Sequence, residues 1–166
     1  MVDLIAIPIL VIISIFQTAV VNQLSLLHGT ADLMLVTLVA WAIQERVTNA
    51  WLWAIIGGTL ISFSSATPYF APLAGYLIVT LLARLLRRRI WQTPILALLL
   101  VTFLGTFVMH GVYLGTLLMK GLSFNWRDSL DLITLPSLLL NILLAIPIYA
   151  ILTNLAEWVY PVELET

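Results

Sequence analysis

The sequence predicts an all-α, polytopic integral membrane protein: one transmembrane domain over residues 1–166, a bundle of six transmembrane helices with both termini in the cytoplasm. Three observations carry that prediction. Apolar residues make up 62% of the chain and charged residues 9%, with a mean hydropathy of +1.11, against about 45–50% and about 25% in soluble domains. The apolar residues fall into runs long enough to cross a hydrocarbon core of about 30 Å. The short connections between those runs divide the basic residues unequally. Seven Lys/Arg against eight Asp/Glu leave no basic footprint for nucleic acid. Without cysteine there is no disulfide or thiolate chemistry.

The first span, residues 4–27, holds no charge and is preceded by Asp3 and no basic residue, so it reads as a retained helix and not a signal peptide. The second, residues 30–44, is short and ends at Gln44-Glu45-Arg46, which puts Asp32 at one interface as a helix N-cap. Residues 50–66 and 69–86 give the third and fourth spans, hinged at Thr67-Pro68. The fifth, residues 93–119, is long enough to tilt. The sixth covers residues 135–156, with Pro136 in its first turn and Pro147 inside it. Residues 121–134 connect the last two spans. Phe124, Trp126, Leu130 and Ile133 among Arg127, Asp128 and Asp131 read as a short amphipathic helix along the outer surface, capped by Asn125, and the loop is either a docking site or a simple interfacial connector. With the N-terminus inside, Arg46, Arg84, Arg87, Arg88 and Arg89 are cytoplasmic, and only Lys120 and Arg127 are outside. The four arginines after the fourth span read as a topology signal and headgroup anchor. Trp126, Trp158 and Tyr160 fit interfacial belts.

No sequence signature of an enzyme is present: no His-Glu-x-x-His, no Gly-x-Ser-x-Gly and no phosphate-binding loop. No metal site or cofactor is expected, because His28 and His110 lie on different spans without a suitably spaced carboxylate. An Asp32 that caps one helix end would lie as much as half a bilayer from a mid-span His110. Polar residues within the spans nevertheless share faces. Thr102, Thr106, His110 and Tyr113 recur at helical spacing. Gln17, Asn22, Asp32, Ser62, His110 and Asn141 form the candidate polar pocket. The plainer reading of Gln17 and Asn141 is a hydrogen bond to a neighbouring helix, and of His110 a neutral, bonded core histidine. Small-residue seams run through Gly58, Ser62 and Ser65, through Ala71 and Gly75, and through Gly111 and Gly115. Such seams usually pack helices within one bundle. Gly111 and Gly115, with Phe124 and Trp126 nearby, are the candidate partner-binding residues.

The chain resembles the MreD family of bacterial rod-shape-determining membrane proteins over nearly its whole length. The resemblance rests on Phe16-Gln17-Thr18, on Ala31-Asp32-Leu33 (with Ala31 where the family carries Pro), and on Gly57-Gly58 followed by Ser62, where relatives often place an acid. Pro72-Leu73-Ala74-Gly75-Tyr76, the following arginines and Asn141 continue it. The resemblance implies a non-enzymatic scaffold of the cell-elongation complex in the bacterial cytoplasmic membrane. Its implied partners are a bitopic MreC-like protein and, within the complex, MreB, a SEDS glycosyltransferase and a class B penicillin-binding transpeptidase. The family is also similar in fold to the substrate-binding subunits of energy-coupling-factor vitamin transporters. This gives an alternative in which Asn22, Gln23, His28, Asp32 and the Ser64-Ser65 region line a ligand cavity. An accessory subunit of another membrane complex is the third reading.

Overall fold

The computed structural model describes residues 2–65, 67–68, 70–89 and 93–161, omitting the side chains of residues 2 and 3. Ala66 and Tyr69, ends of the expected third and fourth spans, lie outside the described residues. The chain is mostly helical. It runs α1 (Ala6–Ala19), a small hairpin of β1 (Ser25–Leu26) and β2 (Gly29–Thr30), α2 (Leu33–Ile43), α3 (Ala50–Ser64), α4 (Phe70–Arg89) and α5 (Pro94–Met119). Then come a short α6 (Trp126–Asp128), π-helical turns over Ser129–Thr134, and α7 (Leu135–Val159).

Among the described residues, four stretches are long and apolar enough to cross a membrane: Ala6–Gln23, Phe70–Arg89, Pro94–Met119 and Trp126–Val159. The expected second and third spans are shorter helices. At 1.5 Å per residue, α2 is about 16 Å long and α3 about 22 Å, each less than a bilayer core. Helix α2 is instead the centre of the bundle. Every residue from Met34 to Ile43 is buried, and α2 packs on α1, α3, α4, α5 and α7. A helix that is apolar all round suits such a position. Its lower half is held by Trp41, stacked on Trp53 of α3 with ring centroids 4.1 Å apart. Tyr160, half-buried, packs on Trp41 at 6.4 Å. Trp126 and Trp158 are exposed.

The first span also ends earlier than residue 27. Helix α1 gives way after Ala19 to one tight turn and then the hairpin, in which Leu27 takes a positive φ of 56°. Gly29 explains why the hairpin docks where it does. A Cβ there would fall 2.5 Å from the Ile133 carbonyl oxygen and 2.7 Å from the Ser137 amide nitrogen, so only glycine lets the hairpin lie against the start of α7. The His28 amide donates to the Leu132 carbonyl in the same seam.

Within the bundle, glycines set the close contacts that replace a hydrophobic driving force in lipid. Gly58 faces the Leu73 backbone, Gly57 faces Met34, Gly75 faces Met109 and Gly105 faces Val79. These seams are architecture. Gly111 and Gly115 are different: nothing lies within 4 Å of a Cβ at either. The connection after α5 is capped as its sequence suggests, with the Asn125 side chain accepting from the Arg127 amide. Its amphipathic segment is a single α-turn that runs through the π-helical turns directly into α7.

Candidate functional site

Helix α2 begins in the interior of the bundle, where the free N–H groups of a first helical turn find no water. Asp32 itself and side chains from two other helices, α1 and α7, take those at the helix start. Asp32 caps its own helix, its Oδ1 accepting from the Leu35 amide at 2.8 Å. Gln17 of α1 accepts from the Leu33 amide at 2.7 Å and donates to the Ala31 carbonyl at 2.9 Å and to Asn22 at 2.7 Å. Asn141 of α7 accepts from the Asp32 amide at 2.6 Å and donates to Thr106 of α5 at 3.0 Å. Ser137 accepts from the Thr30 amide at 3.0 Å. The amides of Gln17 and Asn141 are thus the fixings of a buried helix start.

Tyr76 is the buried member of this network outside the expected pocket that acts on Asp32 directly. The Tyr76 hydroxyl of α4 donates to both Asp32 carboxylate oxygens, at 3.0 Å each. The available signal was a tyrosine one residue beyond the Ala71/Gly75 seam, in mid-span, where a buried hydroxyl needs an acceptor.

Above this network lies a cavity of about 310 Å³. Asp32, Tyr76, His110 and Tyr113 form part of its wall, Gln17 and Asn22 another part, and Ser64, Ser65 and Thr67 its rim on the α3–α4 side. The expected separation of Asp32 from His110 therefore does not hold. Because α2 starts inside the bundle, its cap and His110 line one cavity. His110 Nδ1 is 2.9 Å from the Thr134 hydroxyl.

The other two members of the expected pocket lie off its wall. Asn141 is buried behind Asp32. Ser62 turns back on its own helix, its hydroxyl 2.7 Å from the Gly58 carbonyl. His28 and Gln23 are exposed on the hairpin side, away from the cavity lining.

The opposite end of α2 carries the arginines. Arg84 donates to the Val47 carbonyl at 2.7 Å, and Arg87 to the Gln44 carbonyl at 2.7 Å. One face of α4 thus holds the chain that leaves α2, a structural task beyond anchoring in headgroups. Arg88 and Arg89 are exposed. Near the far end of α5, Gly111 is exposed and Gly115 half-buried beside exposed Leu118 and Met119. Phe124 stands edge-on to exposed Trp126, with centroids 4.7 Å apart. No set of three or more potential metal-binding side chains is grouped among the described residues. Compared with protein-family models, curated proteins and solved structures, the chain gives no match, so the functional reading rests on this geometry and on the sequence.

Proposed function

We propose that this chain is a non-enzymatic membrane scaffold of the bacterial cell-elongation complex, of the MreD kind, which binds the helix of a bitopic MreC-like partner. The observation that supports this reading is the open strip on α5. Helices associate in lipid by close packing of small residues. Gly57, Gly58, Gly75 and Gly105 are already occupied within the bundle, whereas Gly111 and Gly115 present an unfilled seam of the same type. Exposed Trp126 and half-buried Phe124 belong to the connection that follows α5 and would form a second contact.

The five-to-two division of Lys and Arg supports an orientation with both termini in the cytoplasm of the inner membrane. In this orientation the shorter α2 and α3 are counted with the four long helices as six membrane-embedded segments. The arginine end of α4 faces the cytoplasm, and the polar cavity faces outward. Reporter fusions after Arg89 and after Gly121 should report opposite sides of the membrane. Affinity purification from native membranes should return a bitopic protein, together with MreB-like, SEDS-like or transpeptidase components. Recovery of an energising ATPase pair instead would favour the second reading, a substrate-binding transport subunit. The cavity beside Asp32 is what supports that alternative.

A further inference from the structure

The cavity beside Asp32 has chemistry that the packing of the bundle does not use. Asp32 supplies the only carboxylate among its lining residues. The groups that bond it, the Leu35 and Met34 amides and the Tyr76 hydroxyl, are neutral donors. They satisfy the oxygens and, with the positive end of the α2 dipole, offset the charge only in part, since no full cation faces it. None of the seven Lys and Arg lines the cavity. Arg84 and Arg87 are committed to carbonyls at the far end of α2. Asp32 makes no ion pair among the described residues, and His110, on the same wall, is engaged through Nδ1 by Thr134. A carboxylate in surroundings of low polarity calls for a counter-charge.

The rest of the lining narrows the class of ligand. An anion would meet Asp32 with no cation to hold it. A bare metal ion would find one carboxylate and no second charged ligand. Tyr113, half-buried on this wall, is the aromatic side chain placed to attract an ammonium group, Tyr76 being fully buried with its hydroxyl on Asp32. Thr18, Asn22, Ser65 and Thr67 offer oxygen acceptors for the remainder of a small polar molecule. The volume, about 310 Å³, is within the range of small-molecule sites. We infer that this cavity binds a small organic cation, its ammonium group set against the Asp32 carboxylate beside Tyr113. The inference does not depend on partner docking, because the Gly111/Gly115 strip is not part of the cavity lining.

The test uses the full chain purified in detergent, with equilibrium dialysis and thermal unfolding as readouts. The probes are choline, ethanolamine, the uncharged choline isostere 3,3-dimethyl-1-butanol, and sodium chloride. At least one ammonium compound should bind saturably, about tenfold or more tighter than the neutral alcohol, and raise the unfolding midpoint at matched ionic strength. Asp32→Asn, whose side-chain oxygen can still accept from the Leu35 amide, should weaken binding by about tenfold or more. A parallel arm compares bilayers of phosphatidylethanolamine and phosphatidylglycerol. Stabilisation by the former alone, lost in Asp32→Asn, would assign the same ammonium to a lipid headgroup. If Asp32→Asn does not accumulate, the comparison of charged and neutral probes on the wild type decides, with Tyr113→Leu as the second variant, expected to weaken ammonium binding. The inference is overturned if no ammonium probe or ammonium lipid is preferred over its control, if sodium stabilises as well, or if Asp32→Asn binds as the wild type does.

Discussion

The Tyr76 hydroxyl bridges both carboxylate oxygens of Asp32, 3.0 Å from each, and so ties the middle of α4 to the start of α2. These residues are 44 positions apart in the chain. The bond fixes one wall of the cavity and orients the carboxylate while the same group caps α2.

Removing that hydroxyl should cost stability without changing shape. Hydrogen bonds to charged groups contribute about 1.5–3 kcal/mol in soluble proteins, whereas polar contacts between membrane helices average about 0.6 kcal/mol. Tyr76→Phe should therefore destabilise the protein by about 1–2 kcal/mol. A lowered unfolding midpoint in detergent, with unchanged helicity, checks it. An unchanged midpoint would mean that the bridge holds nothing.

Asn141 serves two helices at once, accepting from the Asp32 amide and donating to Thr106. Asn141→Leu leaves that amide without its acceptor in the bundle interior, at a cost of about 2 kcal/mol. Because Gln17 anchors the adjacent Leu33 amide, Gln17→Leu should act on the same helix start. The double variant should lose less than the sum of the two single losses. Denaturant unfolding of the four proteins in micelles measures this; strict additivity would show that the two amides act independently.

His110 is bonded to Thr134 and faces the cavity. In a scaffold it needs only its hydrogen bond. His110→Gln, which retains bonding capacity but not titration near neutral pH, should support growth and rod shape in a complementation strain. A null phenotype with normal accumulation and normal partner assembly would point to a role for titration at this position.

Some of this site was legible before the fold was known. An Asp before an apolar run gives the cap at Asp32, and Asn125 is read in the same way, because capping is local in sequence. The spacing of Thr106 and His110 on α5 follows from helical periodicity. What could not be read depended on distant partners. The start of α2 is held by Gln17 and Asn141, and the latter lies more than a hundred residues away, as the 109-residue separation of Asp32 and Asn141 illustrates. The hairpin over Ser25–Thr30 looked like the continuation of an apolar helix because Leu24, Leu26 and Leu27 are as apolar as the span before them. Its signal was Gly29, whose need for close approach to α7 appears only when α7 is in place. In sequence Arg84 and Arg87 form a charge cluster, and their carbonyl partners belong to a loop about 40 residues earlier, as the separation of Arg87 and Val47 shows.

The central claim, that the open glycine strip of α5 receives a partner helix, is tested most directly by co-purification with Gly111→Leu and Gly115→Leu combined. Nothing lies within 4 Å of a Cβ at either position, so the doubly substituted protein should accumulate and unfold at the wild-type midpoint while the bitopic partner is lost from the purified complex. Gly58→Leu, in a seam filled by the Leu73 backbone, is the contrast and should fail to accumulate. Retention of the partner by a folded Gly111→Leu/Gly115→Leu protein would contradict the claim, and so would a double variant that fails to fold.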